Sequence, residues 1–196
     1  MKFVLATANL GKVEEMRSIL SGLDIDVISR HELGIKDDIE ETGDTFAENA
    51  LIKAEAICKV SGLPAIADDS GLVVDALGGE PGVHSSSYGG PALSGAQRCA
   101  YLLEKLRNKE QRSAKFVCTI VCAFPDGKNL ISEGECNGEI AMTPRGSGGF
   151  GYDPVFLIKS TGKTMAELSA EEKNAVSHRG EALRKFILLL QERGYR

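Results

Sequence analysis

The chain has 196 residues, of which 42% are hydrophobic and 26% charged, with 28 acidic against 23 basic side chains for a net charge of -5 and no tryptophan. That length suffices for one good core, read here as a single domain over residues 1–196. The acidic balance excludes broad nucleic-acid binding, which shows a basic stripe, yet leaves room for one small positive pocket. No apolar run reaches the about 20 residues of a membrane span, and Met1 to Ala6 is too short for a signal segment, so a cytoplasmic location with no membrane partner is expected.

Lys2 to Thr7 reads as a buried strand ending in the polar loop Thr7-Ala8-Asn9-Leu10-Gly11-Lys12. Val13, Met16, Ile19, Leu20 and Leu23 then recur at helical spacing. A strand, a polar glycine-containing loop and a helix suit an anion, because backbone N–H groups at a helix start face it. The loop is neither a GxxxxGK[ST] nor a GxGxxG pattern.

Ile25 to Ser29 is a second short strand, followed by an acidic loop with Asp37, Asp38, Glu40 and Glu41. A helix is predicted from Thr45 to Ser61, stopped by Gly62 and Pro64. Lys53 falls near its apolar stripe. A lysine turned inward wants an anionic partner, which a phosphate or an aspartate would supply. Pro64 to Ala67 reads as a short strand delivering Asp68 and Asp69 at its C-terminal end, where open α/β sheets place ligands.

Adjacent carboxylates there exceed what a cap or turn requires. Mg²⁺ takes one or two carboxylates and completes its shell with water and phosphate oxygens, so one glutamate with one aspartate would suffice. Carboxylates for a hard cation, together with amide, hydroxyl and ammonium groups for phosphates, point to metal-dependent chemistry on a nucleotide.

Gly78 to Gly95 is a surface segment and Ala96 to Leu106 a helix. Lys115 to Phe124 and Lys128 to Met142 form a hairpin around Pro125-Asp126-Gly127, with both faces of the first strand covered. Phe150 among glycines can present a flat surface to a base. A strand is expected over Pro154 to Ile158, a short helix from Ser169, and a last helix over Arg179 to Arg193. His178 and Arg179 open that helix, where acidic residues are preferred unless a ligand uses the basic ones. The five cysteines form no CxxC pair and read as reduced thiols, Cys118 and Cys122 being small core residues. His31 and His84 carry no pattern. Ser85-Ser86-Ser87 makes no nucleophile elbow.

Six segments, in order, resemble the inosine triphosphate pyrophosphatase family, the XTP/dITP diphosphatases. They are Ala6 to Lys12, Glu40 to Ala50, Ala67 to Leu72, Leu77 to Gly82, Gly148 to Pro154 and Glu172 to Arg179. The resemblance implies an α/β fold with an elongated mixed sheet flanked by helices and two lobes around an active-site cleft. It also implies a homodimer, Mg²⁺ as cofactor, and hydrolysis of ITP, dITP and XTP to the monophosphate and pyrophosphate.

Carried onto this chain, the loop Thr7, Ala8, Asn9, Leu10, Gly11 and Lys12 would hold phosphates, with Lys53 nearby. Glu40 and Asp69 would serve the metal, Asp69 would also accept the proton, and Ser70 would contact substrate. Phe150, Gly151, Tyr152 and Asp153 would line the base and sugar pocket, while Lys173, His178 and Arg179 would read the base. A Maf-like pyrophosphatase is disfavoured by the Phe-Gly-Tyr-Asp and Ser-His-Arg segments. A nucleotide sensor without turnover is the alternative from another class.

Overall fold

A computed structural model describes residues 1–36 and 39–195; Asp37 and Asp38 of the acidic loop lie outside the described residues. The strands are β1 Lys2–Leu5, β2 Asp26–Ser29, β3 Ala65–Val74, β4 Ser113–Ala123, β5 Asn129–Ile140, β6 Phe156–Ile158 and β7 Lys163–Thr164. The helices are α1 Leu10–Leu20, α2 Phe46–Ser61, α3 Gly95–Lys105, α4 Ala170–Val176 and α5 His178–Glu192. The strands form one mixed sheet in the order β2-β1-β3-β4-β5-β6-β7. β1 pairs in parallel with β2 and β3, while β6 pairs antiparallel with β5 and β7. The expected α/β class and mixed sheet are therefore present.

Two compact units divide the chain. The first holds Met1–Asp69, Cys118–Gly134 and Arg179–Arg196; the second holds Ser70–Val117 and Glu135–His178.

In the first unit, one sheet face packs Phe3, Leu5, Ile66, Cys118, Ile120 and Cys122 against Val13, Met16 and Leu20 of α1 and Leu183, Phe186 and Leu190 of α5. The other face packs Val4, Ala65, Ala67, Val121 and Ala123 against Ala50, Ala54 and Ile57 of α2. Residues along a strand alternate between faces, so a strand covered on both sides must be apolar at every position. That explains why β4 is apolar on both faces from Ile120 to Ala123. Cys118 and Cys122 sit in this core as expected, and burial pushes the Cys118 thiol up to about 12.

The second unit has its own core, in which Leu72, Val74, Phe116, Tyr152, Val155, Phe156 and Met165 meet Cys99, Leu102 and Leu106. α3 begins with a reciprocal cap between Ser94 and Gln97, and α4 with one between Ser169 and Glu172. Gly138 of β5 lies against β6 so closely that a Cβ there would stand 2.4 Å from the Leu157 carbonyl oxygen. Only glycine fits.

Several expected boundaries shift by a residue or two and β7 is an added strand; three differences bear on the site. α1 starts at Leu10 rather than Lys12, because Asn9 caps it by accepting from the Lys12 N–H. α5 starts one residue earlier than expected, at His178. The short strand before the aspartates is the beginning of β3, which continues to Val74, so Asp68 and Asp69 lie mid-strand. The site nonetheless opens there, because β1 ends at Leu5. Pairing on that edge of β3 stops where the Ala6 N–H donates to the Ile66 carbonyl, 2.8 Å away.

Candidate active site

Strand alternation decides what the two aspartates do. Ile66 belongs to the α1/α5 face, and Ala65 and Ala67 to the α2 face. Asp68 therefore projects with Ile66 and Asp69 with Ala67. Adjacent in sequence, they serve opposite sides of the sheet.

On the α1/α5 side Asp68 is fully enclosed by cations. Its Oδ2 lies 2.9 Å from Lys12 Nζ and accepts from Arg179 Nη2 at 2.9 Å and Nε at 3.2 Å. Arg179 Nη1 donates in turn to Glu15 Oε2 at 2.5 Å. Burial alone would raise the Asp68 carboxyl; Lys12 and Arg179, with Lys53 further off, outweigh it and hold the group well below the usual carboxylate range. Asp68 is a fixed anion. Arg179 is 2% exposed, yet its two carboxylate partners keep it charged.

On the α2 side the balance is reversed. Lys53 Nζ sits 3.1 Å from Asp69 Oδ1 and 2.9 Å from Glu41 Oε2, bridging the two carboxylates. The other oxygen, Asp69 Oδ2, is buried and has no hydrogen-bond partner among the described residues. Burial raises the Asp69 carboxyl and Glu41 adds to it, so that Lys53 and Lys12 lower it only in part. Lys53 is itself shifted up, since the aspartates and Glu41 outweigh the cost of its burial. A buried oxygen with a free lone pair, on the more basic of the two aspartates, can take a proton or a cation.

Glu40 and Glu41 of the acidic loop are both exposed, and the Glu41 carboxylate reaches Lys53. Among the described residues no group of three or more histidine, cysteine or acidic side chains gathers as a metal cage. Asp69 with Glu40 of that loop would make a two-carboxylate set, which is what Mg²⁺ takes when phosphate oxygens complete its shell.

The phosphate side is built by the turn from β1 into α1. Thr7 Oγ1 accepts from the Asn9 N–H at 3.2 Å, and Asn9 Oδ1 from the Lys12 N–H at 3.2 Å. Ala8, Asn9 and Leu10 are exposed, Gly11 is half-buried, and no acidic side chain stands in the first turn of α1. A helix start without an acid and with Lys12 beside it favours an anion.

The second unit holds the aromatic group. Asp153 Oδ2 accepts from the Phe150 N–H at 2.9 Å and from Lys173 Nζ at 2.5 Å, and Lys173 Nζ stands 4.6 Å from the centre of the Phe150 ring. Gly149, at φ +69°, would place a Cβ 2.0 Å from Asp153 Oδ2, so the acid closes over a glycine. Ser70, the first β3 residue of this unit, is half-buried.

Tyr152 and His178, which the resemblance places at the base pocket, are both buried. Tyr152 is buried in the core, with its hydroxyl donating to the Ser85 carbonyl at 2.9 Å and Gly151 O accepting from Cys99 Sγ nearby. His178 is stacked on Phe116 at 4.6 Å between ring centres. Arg179 is committed to Asp68 and Glu15, a geometry that suits holding a carboxylate better than reading a base edge. Glu15 was missed; its one sequence signal is its place three residues past Lys12, on the same face of α1.

A mixed-sheet α/β protein with a split aspartate pair, lysines beside both aspartates and an uncrowded helix start belongs to a class whose site favours an anionic ligand. Residues 3–189 match the Ham1 family, and the chain belongs to it. It is 50% identical to the dITP/XTP pyrophosphatase of Shigella flexneri over 190 residues, covering 95% of this chain and 96% of that one. Among solved structures, the HAM1 protein of Coxiella burnetii matches at a TM-score of 0.90 and 46% identity, covering 98% of this chain and 99% of that one. The Ham1 protein of Staphylococcus aureus matches at 0.89 and 42%, covering 98% and 100%. The family resemblance carried by the six segments is thus borne out. No helix among the described residues is long and apolar enough to cross a membrane.

Proposed function

We propose that the protein is a nucleoside triphosphate pyrophosphatase acting on non-standard purine nucleotides (ITP, dITP and XTP), releasing the monophosphate and pyrophosphate. The observation that carries this reading is Asp69. It is the more basic of two adjacent aspartates, with a buried oxygen that has no partner among the described residues and Lys53 and Glu41 beside it. Its naming as dITP/XTP pyrophosphatase in relatives such as that of Shigella flexneri supplies the substrate class.

The residues present fit Mg²⁺, which Asp69 with Glu40 of the exposed acidic loop would hold and which, when bound, would neutralise charge on the phosphate oxygens. Asp69 Oδ2 takes the proton from the attacking water. The water oxygen bonds to the α-phosphorus, the bond from that phosphorus to the α,β-bridging oxygen breaks, and pyrophosphate leaves with the bonding electrons. Lys12 and the N–H groups at the start of α1 receive the polyphosphate, and Lys53 holds Asp69 and Glu41 in place. Asp68 keeps Lys12 in position from the far face of the sheet. Phe150 offers the stacking surface for the base, with Lys173 and Asp153 beside it. A homodimer in the cytoplasm accompanies this reading, as the family resemblance implies.

The test is a panel of ITP, dITP, XTP, ATP and GTP, with and without Mg²⁺, followed by product identification. Monophosphate and pyrophosphate from the first three, with ATP and GTP turned over far more slowly, is the expected result. Diphosphate and orthophosphate would refute the assignment, and tight binding of ITP without turnover would favour a sensor.

A further inference from the structure

Of the consecutive serines Ser85, Ser86 and Ser87, the last two are exposed and Ser85 is buried. A buried hydroxyl stabilises a fold only through the groups it reaches. Ser85 Oγ accepts from the Leu72 N–H of β3 at 2.8 Å and donates to the Gly82 carbonyl at 2.6 Å. Its own carbonyl accepts from the Tyr152 hydroxyl at 2.9 Å. One residue of the second unit thus joins β3, a surface turn and the segment that carries Phe150.

The stretch before Ser85 lies along β3. The Val74 N–H donates to the Glu80 carbonyl at 3.2 Å, and Val73 bridges Pro81 in the antiparallel sense. Two residues apart on the strand, Leu72 and Val74 present their N–H groups to the same edge. Glu80 takes one with its backbone and Ser85 takes the other with its side chain. At the far end, Tyr152 is 4% exposed, and its hydroxyl is the one polar group of a ring packed in the core. Phe150 itself donates its N–H to Asp153 at 2.9 Å, but that bond is internal to the segment. Cys99 of α3 donates to the Gly151 carbonyl from one side, and the Tyr152 hydroxyl reaches β3 through Ser85.

We propose that Ser85 is a positioning residue that ties the Phe150–Asp153 segment to β3 and so sets where the Phe150 ring stands. The inference rests on the proposed function only in taking Phe150 as the base surface. The placement of the ring can be tested without a nucleotide.

The chain has no tryptophan, so Phe150→Trp supplies a single indole at the place of the ring. The first experiment measures acrylamide quenching and anisotropy of that indole in the full chain, alone and with Ser85→Ala, Tyr152→Phe or both. Either change should raise the quenching constant and lower the anisotropy. Both together should do little more than one, because they break the same link. Unchanged quenching, or effects of the two that add in full, overturns the proposal. If Ser85→Ala does not fold, Tyr152→Phe, which keeps the packed ring and loses only the hydroxyl, carries the comparison.

The second experiment takes steady-state constants on ITP. Ser85→Ala should raise KM roughly three- to tenfold, the scale of one hydrogen bond, with kcat within about twofold of wild type. In the Phe150→Ala background the same change should do less than about twofold, because the group it positions is already gone. An equal rise in both backgrounds, or a fall in kcat with KM unchanged, overturns the positioning role. A Phe150→Ala chain with wild-type KM defeats the base-surface reading alone, and the quenching result then decides the placement of the ring.

Discussion

At the scale of residues, the two aspartates show how one step along a strand separates chemistry from structure. Asp68 is buried with Lys12 and Arg179 on it, so neutralising it leaves two cations enclosed without their anion. Breaking a buried pair in this way costs about 3–5 kcal/mol. Asp68→Asn should therefore lower the urea midpoint strongly, with lost turnover following from lost fold. Asp69→Asn removes the charge beside Lys53 but keeps the shape. It should leave the midpoint near wild type and cut kcat on ITP by about 10²–10⁴-fold, the usual worth of a general base. Near-native turnover by folded Asp69→Asn would exclude Asp69 as the proton acceptor. Arg179 belongs with Asp68. Since its guanidinium holds Asp68 and Glu15, Arg179→Ala should depress ITP and ATP hydrolysis in equal proportion and destabilise the chain. A selective loss on ITP, narrowing the ratio between them, would restore the base-reading role that the resemblance implied.

At the scale of elements, local chemistry sets the ends and long-range pairing sets the lengths. The capped start of α4 was legible because a Ser followed three residues later by Glu is a signal carried wholly by neighbours, and the same kind of cap stands at Thr45 before α2 and Ser94 before α3. The extent of β3 was not legible. Two aspartates, a serine and a glycine read as the end of a strand, and only its place inside the sheet keeps them in one. A further element-scale contact links α1 to the turn after β2: Glu32 Oε2 accepts from the Ser29 N–H at 2.7 Å and from its hydroxyl at 2.6 Å, and also pairs with Arg17. The two Ser29 bonds, then Arg17, lower the Glu32 carboxyl from 4.5 to about 2. A carboxyl lowered by folding stabilises the native state above its unfolded value and loses that contribution as the pH falls through the folded one. The stability difference between wild type and Glu32→Gln should thus be present at pH 6 and close between pH 4.5 and about 2. A difference that stayed constant across that window would show that Glu32 acts through packing rather than charge.

At the scale of the whole molecule, the division into two units sorts the site residues by task. Lys12, Glu41, Lys53, Asp68, Asp69 and Arg179 belong to the first unit, and Phe150, Asp153, Lys173 and His178 to the second. Each group is held by partners within its own unit: Lys53 by Asp69 and Glu41, Lys173 by Asp153. Substitutions in the two groups should therefore affect different kinetic constants. Phe150→Ala removes a half-buried ring that lies under the Lys173 ammonium while leaving every residue of the first unit in place. Stacking of a base on an aromatic side chain is worth about 1–3 kcal/mol, or roughly 5- to 150-fold in affinity. The variant should raise KM for ITP within that range and change kcat little, because the proton acceptor and the cation ligands remain. Mn²⁺ binding should match wild type. Asp69→Asn should show the reverse pattern, a collapse in kcat with the preference for ITP over ATP retained in whatever activity survives. Steady-state constants on both nucleotides for both variants decide the matter. If Phe150→Ala lowered kcat as much as Asp69→Asn does, or weakened Mn²⁺ binding, the base surface and the carboxylates would be one coupled machine and the assignment of separate tasks would fail.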